Sequence, residues 1–167
     1  MIQPWVWPLD SPQSWPDEPG QFGAIRRYDI HTGVDLYCPL NTQVLAVEAG
    51  RVVAIENFTG ASAGSPWWNE TKAVLVEGAS GVVVYGEINP YVELGDDLSH
   101  SEVIGIIDRP VLKKDKGRPT VMLHIELMQL GSRKTVWWLH DTPQPKSLLN
   151  PTNHLLNIFT KSSVAPE

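Results

Sequence analysis

Residues 72–88, KAVLVEGASGVVVYGEI, contain two apolar runs separated by Gly-Ala-Ser-Gly at positions 78–81. Short runs rich in valine are typical of β-strands, and a glycine-rich step between two such runs is typical of a β-hairpin. The stretch therefore predicts a hairpin, and it indicates that the neighbouring chain joins a β-sheet.

Similar runs lie on both sides of this hairpin. Residues 43–55 have the pattern of two short strands around a turn at Gly50, and residues 103–107 and 121–128 have the pattern of two more. An amphipathic helix is indicated only for the last dozen residues. Together these runs predict an all-β fold, a sandwich or barrel of short strands.

The start of the chain has a different composition. Residues 1–20, MIQPWVWPLDSPQSWPDEPG, are crowded with proline, serine and tryptophan. Because proline removes backbone donors, we expect an extended arm that lies on the domain and is anchored by Trp5, Trp7 and Trp15. The 167 residues are expected to form one domain, with the arm over 1–28, a β core over 29–156 and a tail over 157–167.

Composition excludes some classes of partner and site. The formal net charge is −6, which argues against nucleic acid as a partner because phosphate binding needs clustered basic residues. No stretch has the pattern of a signal peptide or the length of a membrane span, so the sequence as given predicts a soluble protein. The single cysteine, Cys38, is expected to be a small buried thiol. Composition leaves the oligomeric state open.

Two histidines and one aspartate suggest a metal site. In residues 121–128, VMLHIELM, alternation places the aliphatic side chains on one face and His124 on the other. His31 and Asp35 are four residues apart in HTGVD. Two neutral imidazoles and one carboxylate are a ligand set for zinc with one position left for water. The remaining histidines are expected to be ordinary surface or core residues: His100, His140 and His154.

Several stretches in the same order resemble the lysostaphin/LytM-type zinc metallopeptidases. These stretches are WVWPL at 5–9, Phe22-Gly23 with Arg26, HTGVD at 31–35, PLNTQVLAVEAGRVV at 39–53, GDDLSHSEVIG at 95–105, LHIE at 123–126 and NPTNHL at 150–155. The resemblance implies a small antiparallel β-sandwich of the barrel-sandwich hybrid type. It also implies Zn²⁺ held by His31, Asp35 and His124, and a peptide or peptidoglycan-like ligand. Members of that family usually work outside the cytoplasm, so the compartment stays open.

The sequence departs from the family pattern at two positions. The family has a Tyr-x-His pattern where this chain has Tyr85-Gly86-Glu87, and a His-x-His pattern where this chain has Met122 before His124. In active members these two histidines assist proton transfer and stabilise the oxyanion. We therefore expect a zinc-binding domain with weakened or lost peptidase activity, acting as a binding or regulatory module.

Glu87 leaves three roles open. Alternation along Val83, Tyr85 and Glu87 is expected to place the carboxylate on the face to which the missing histidine would point. Glu87 could take a proton from zinc-bound water, which would make the chain an active zinc endopeptidase on peptidoglycan peptides. It could instead be a fourth ligand that closes the zinc site, or a solvated residue without function.

A second class of protein shares part of this pattern. GDDLSHSEVIG at 95–105 also resembles a hairpin of the lipoyl and biotinyl carrier domains. Those domains need a modified lysine at a tight turn, and the nearest candidates here are Lys113, Lys114 and Lys116. This interpretation leaves the two histidines and the aspartate unexplained.

Overall fold

A computed structural model of the protein describes residues 3–11 and 14–163, with side chains as far as residue 159. The described chain forms short β-strands, two 3₁₀ turns (Glu18–Gly20 and Ala61–Ala63) and one helix near the C-terminus. The strands and the helix are β1 (Val34–Tyr37), β2 (Thr42–Leu45), β3 (Gly50–Thr59), β4 (Thr71–Gly78), β5 (Gly81–Pro90), β6 (Asp97–Leu98), β7 (Val103–Ile107), β8 (Met122–Met128), β9 (Leu148–Leu149) and α1 (Thr152–Ser163).

All strand pairs are antiparallel, and the sheet is not closed into a ring. The main path runs β1-β8-β5-β4-β3-β6, with β9 on β8. β2 pairs with β7, and β7 also pairs with the last residues of β5, Asn89 and Pro90. β5 therefore connects two layers, since its earlier residues pair with β4 and β8. This arrangement confirms the predicted small antiparallel β-sandwich.

The predicted hairpin is present, but the predicted turn at Gly50 is wrong. β4 and β5 pair from Gly78 opposite Gly81, which leaves the two-residue connection expected from the sequence. The turn between β2 and β3 comes before Gly50, which is the first residue of β3. A Cβ on Gly50 would lie 2.5 Å from the carbonyl oxygen of Glu77. Gly50 is therefore explained by the close approach of β4 rather than by a turn.

β8 is the central strand of the site, and all seven of its residues are buried. Its aliphatic face, formed by Leu123, Ile125 and Leu127, packs in the main core as predicted. The opposite face is also covered, because Met128 belongs to a second apolar cluster. His124 and Glu126 lie on this second face and are only 5% and 1% exposed. Their polar groups therefore need partners within the protein.

The N-terminal arm and the C-terminal helix pack against each other. Trp5 and Trp7 are buried in the main core, and Trp15 packs against it from the side. The Trp5 ring stacks on His154 of α1 with centroids 4.5 Å apart, and Trp7 and Trp15 both contact Phe159. α1 begins inside the expected core and continues into the expected tail. In the described part of the chain, no helix has the length and apolar character needed to cross a bilayer.

Replacing Trp5 by alanine should destabilise the protein by about 3–5 kcal/mol, the usual cost of truncating a buried tryptophan. Trp5 is 2% exposed, and its Nε1 donates to Glu48 and Ser80. The check is urea unfolding of Trp5→Ala beside Trp67→Ala, whose parent side chain is 63% exposed. The control should change stability by no more than about 0.5 kcal/mol. Equal effects of the two variants would show that the arm does not contribute to the core.

Candidate metal centre

The pairing of β1 with β8 brings the predicted ligands together. Asp35 lies directly opposite His124 in this pair, so both side chains project from the same face. His31 precedes β1 and reaches the same place because the chain approaches β8 closely at Gly33. A Cβ on Gly33 would lie 2.4 Å from the carbonyl oxygen of Ile125. Only glycine allows this approach.

Three donor atoms converge at the centre of the site. His31 Nε2 lies 3.2 Å from both Asp35 Oδ1 and His124 Nδ1, and Oδ1 lies 2.8 Å from Nδ1. Ligand atoms about 2.0–2.1 Å from a tetrahedral zinc ion lie roughly 3.3 Å from one another. The three distances are therefore close to one face of such a tetrahedron, and the donor set fits a divalent cation. Their assignment as ligands stays a prediction.

Hydrogen bonds on the far side of each ring hold its orientation. His31 Nδ1 donates to the carbonyl oxygen of Gln21 at 2.9 Å, which leaves the Nε2 lone pair facing the cluster. His124 Nε2 donates to Glu126 Oε1 at 2.8 Å, which leaves Nδ1 facing the cluster. Thr32 Oγ1 donates to the same Glu126 oxygen at 2.6 Å. Partners of this kind orient metal-binding histidines in known sites.

The electrostatics of the cluster favour a positive charge at its centre. Burial would raise the pKa of the Asp35 carboxyl, but its contacts with the His124 and His31 rings, and the positive charge of these rings when they are protonated, hold that pKa far below its usual value. Arg26 Nη2 donates to Asp35 Oδ2 at 2.8 Å. Burial would lower the pKa of His124, but hydrogen bonds to Asp35 and Glu126 raise it to about 10. A site that stabilises an extra proton in this way also meets the electrostatic condition for binding a cation.

Glu87 lies beside the cluster, although strict alternation does not place it there. Val83 and Tyr85 face the main core, on the side of the sheet opposite His124. The expected face was therefore wrong for these two residues. The register of β5 against β4 shifts between Tyr85 and Ile88, and Glu87 has φ 67°. This bulge and the left-handed backbone change the direction of the Glu87 side chain.

The Glu87 carboxyl is buried and electrostatically coupled to the cluster. Its pKa is raised to about 8, first by burial and then by the negative charge of Asp35. Among the described residues, Glu87 Oε2 has no hydrogen-bond partner. Glu87 is also outside the described group of donor atoms that lie within 4.8 Å of one another, namely those of His31, Asp35 and His124. The carboxyl therefore lies near the donor atoms but not among them.

Several neighbours of the site carry no signal in the sequence. Gln21 acts through its backbone carbonyl, which any residue could supply. The Phe58 ring lies 5.4 Å from the His124 ring. Tyr37 lies opposite Met122 in the β1–β8 pair, and its pKa is raised by burial and by the charge of Asp35. The acidic partner Glu126 could have been found, because it shares the face of His124 in the alternating pattern.

Among the described residues, none of the other candidates belongs to the group of donor atoms. His100 is exposed, while His140 Nε2 contacts the carbonyl oxygens of Arg26 and Asp29. Cys38 is half-buried, and burial raises the pKa of its thiol to about 11. The three lysines considered for a carrier domain lie in the irregular segment between β7 and β8 rather than at a tight turn.

Comparison with known proteins gives structural neighbours only. No family model matches the sequence, and no curated protein matches it. A candidate M23 peptidase from Pseudomonas aeruginosa is 19% identical with a TM-score of 0.51, over 92% of this chain and 52% of that one. The chain thus spans about half the length of that protein.

Two shorter structures match over most of both chains. The catalytic domain of the antimicrobial peptidase lysostaphin from Staphylococcus simulans is 18% identical with a TM-score of 0.52, over 82% of this chain and 89% of that one. CbpA from L. salivarius REN is 19% identical with a TM-score of 0.57, over 88% and 90%. At these identities the likeness concerns the fold. This chain has the fold of the lysostaphin-type M23 peptidases.

Proposed function

We propose that this protein is a zinc-binding domain of M23 peptidase fold whose peptidase activity is weakened or lost, and that it acts as a binding or regulatory module for a peptide or peptidoglycan-like ligand. The observation that carries the proposal is the convergence of His31, Asp35 and His124, with Nε2 of His31 and Nδ1 of His124 directed inward. Two imidazole nitrogens and one carboxylate oxygen turned toward a common point form a ligand set suited to Zn²⁺.

The residues around the cluster explain how the chain would hold the ion. Zn²⁺ in such a ligand set lowers the pKa of a bound water to about 7 and polarises a carbonyl group. Glu126 holds the His124 ring by accepting from its Nε2. Arg26 occupies Oδ2 of Asp35, which leaves Oδ1 for the cluster. The chain therefore presents one oxygen and two nitrogens toward the ion.

The same site lacks the groups that would make hydrolysis fast. The positions of the two family histidines hold Glu87 and Met122, and Met122 has no group that can donate a proton. Losing a positioned acid or base typically reduces a rate by about 10²–10⁴. This loss supports weak turnover or binding alone.

An exposed tryptophan in a segment that is bonded to the start of the site supports a peptide or glycan ligand. Trp137 is 74% exposed. Its neighbour Trp138 accepts a hydrogen bond from Ile30, the residue before His31. A solvent-facing indole in the segment that bonds to the residue before His31 can stack on a flat polar ligand. The lysostaphin structure described above is that of an antimicrobial peptidase, and we propose a related ligand class here.

One observation favours a second candidate, an active zinc endopeptidase with Glu87 as the general base. Glu87 Oε2 is buried, has no partner among the described residues and belongs to a carboxyl whose pKa is about 8. In its deprotonated form, a carboxylate oxygen at this place can accept a proton from a water beside the cluster. Its position outside the donor group favours this role over that of a fourth ligand.

The experiment that tests both candidates compares the unaltered protein with Glu87→Gln. Each is stripped with a chelator, titrated with Zn²⁺ by calorimetry, and assayed for cleavage of purified bacterial peptidoglycan and of a peptide library. We expect one equivalent of zinc in both proteins, and slow or undetectable cleavage.

The possible results separate the hypotheses. Measurable cleavage by the unaltered protein that Glu87→Gln loses, with zinc retained, would support the active enzyme. Cleavage that Glu87→Gln leaves unchanged would exclude Glu87 as the base. Absence of zinc binding in the unaltered protein would refute both candidates.

A further inference from the structure

The N-terminal arm runs directly beside the metal cluster. Its 3₁₀ turn, Glu18–Gly20, packs against β1. A Cβ on Gly20 would lie 2.9 Å from Pro16 Cβ and 3.2 Å from Tyr37 Oη. The arm is therefore fitted closely to the strand that carries Asp35, and it leaves no room for a larger residue at this position.

Two hydrogen-bonded connections join the arm to two of the three donor residues. The carbonyl oxygen of Gln21 accepts from His31 Nδ1 at 2.9 Å. Arg26 donates twice to the carbonyl oxygen of Pro19, from Nη2 at 2.6 Å and from Nε at 3.2 Å. The same Nη2 donates to Asp35 Oδ2 at 2.8 Å. The arm thus orients one imidazole directly and one carboxylate through Arg26.

Gln21 also closes the arm on itself. Its side-chain Nε2 donates to the carbonyl oxygen of Pro16 at 3.0 Å. Two backbone hydrogen bonds of 2.9 Å join the arm to His31. Gly23 N donates to the carbonyl oxygen of His31, and His31 N donates to the carbonyl oxygen of Ala24. The backbone of the arm therefore donates a hydrogen bond to His31 and accepts one from it. A shift of the arm must move the His31 ring.

We propose that the segment from Pro16 to Arg26 is a positioning element of the metal site, with Arg26 as its key positioning residue, so that docking of the arm and binding of the metal stabilise each other. The inference rests on the proposed zinc site. Outer partners of metal ligands typically change metal affinity by about 10–100-fold. Because coupling between two binding events is reciprocal, zinc must hold the arm as strongly as the arm improves zinc binding. A molecule that displaced the arm would therefore weaken the metal site.

The first test compares Arg26→Gln with the matched variant Arg27→Gln. Arg27 is exposed and contacts the Tyr28 ring. Replacing it also removes one positive charge, but at the position next to Arg26. Zinc affinity is measured by competition with a chromophoric chelator. We expect Arg26→Gln to bind about 10–100-fold more weakly than the unaltered protein, and Arg27→Gln to bind as the unaltered protein does. Equal affinity of the two variants would overturn the proposal.

The second test uses the unaltered chain, so it holds even where Arg26→Gln does not fold. Hydrogen exchange of the backbone amides between residues 17 and 26 is followed with and without saturating Zn²⁺, and exchange in β2 and β7, which pair with each other away from β1 and β8, serves as the internal reference. We expect zinc to slow exchange in residues 17–26 by about 10–100-fold, the size of the affinity effect. Equal exchange rates in this segment with and without zinc would overturn the proposal. Failure of the unaltered protein to bind zinc would instead overturn the metal site itself.

Discussion

Replacing His124 by alanine should lower the affinity for Zn²⁺ by more than about 100-fold, beyond the effect of losing an outer partner. The variant removes one of three donor atoms and leaves Asp35 Oδ1 and Glu126 Oε1 without the imidazole that joins them. Saturating zinc should stabilise the unaltered protein by about 2.7 kcal/mol at one hundred times the Kd. For a domain of this size that is a rise in Tm of about 5–11 °C. At the same zinc concentration, the Tm of His124→Ala should rise by less than about 2 °C.

The control for this prediction is His100→Ala. His100 is exposed in the segment between β6 and β7 and is not one of the three donor residues, so the substitution removes an imidazole that is not part of the cluster. It should keep both the zinc affinity and the zinc-dependent rise in Tm. A zinc-dependent rise in His124→Ala as large as in the control would show that the ion binds elsewhere. Circular dichroism in the presence of chelator establishes that both variants are folded before titration.

The strands that formed as predicted are those whose signal is local. The β4–β5 hairpin follows from valine-rich runs around a glycine-rich step, and β8 follows from strict alternation. Placing His124 on the face opposite Leu123 needed only the two-residue period of a strand. The closeness of Asp35 to His124 is different in kind. It depends on the pairing of β1 with β8, across about ninety residues. The residue types suggested a shared ligand set and the family resemblance strengthened that prediction, but neither specified the strand pairing.

The features that were wrong or missed depend on backbone geometry that the residue pattern does not carry. Glycine at position 50 is typical of a turn, but in the structure it is required because the adjacent strand leaves no room for a side chain. The sequence pattern does not show which strand will lie beside this residue. Glu87 departs from alternation because one bulge shifts the register of β5. The partner of His31 is a backbone carbonyl of Gln21, which has no side-chain signature. In each case a long-range contact overrides a local pattern.

Restoring both family histidines by Glu87→His with Met122→His should raise peptidoglycan hydrolysis by about 10²–10⁴, the usual contribution of a positioned acid or base. The backbone can accommodate a histidine at both positions. Glu87 has φ 67°, a region in which histidine is several-fold enriched among non-glycine residues. Met122 is 9% exposed and precedes His124 by two positions, so it shares the face of the cluster. An imidazole of similar size can replace its side chain there.

The matched control is Glu93→His, which also replaces a glutamate by histidine, but at an exposed position outside the site. It should leave zinc affinity and hydrolysis at the level of the unaltered protein. The two single variants measure how far each histidine acts alone, and a gain that appears only in the double variant would mean that the two act as one unit. A double variant that binds zinc normally and hydrolyses nothing would show that the two histidines do not limit turnover. The rate of hydrolysis would then be limited by how the surrounding loops hold the ligand. Glu87 and Met122 would not be the cause of the weak activity.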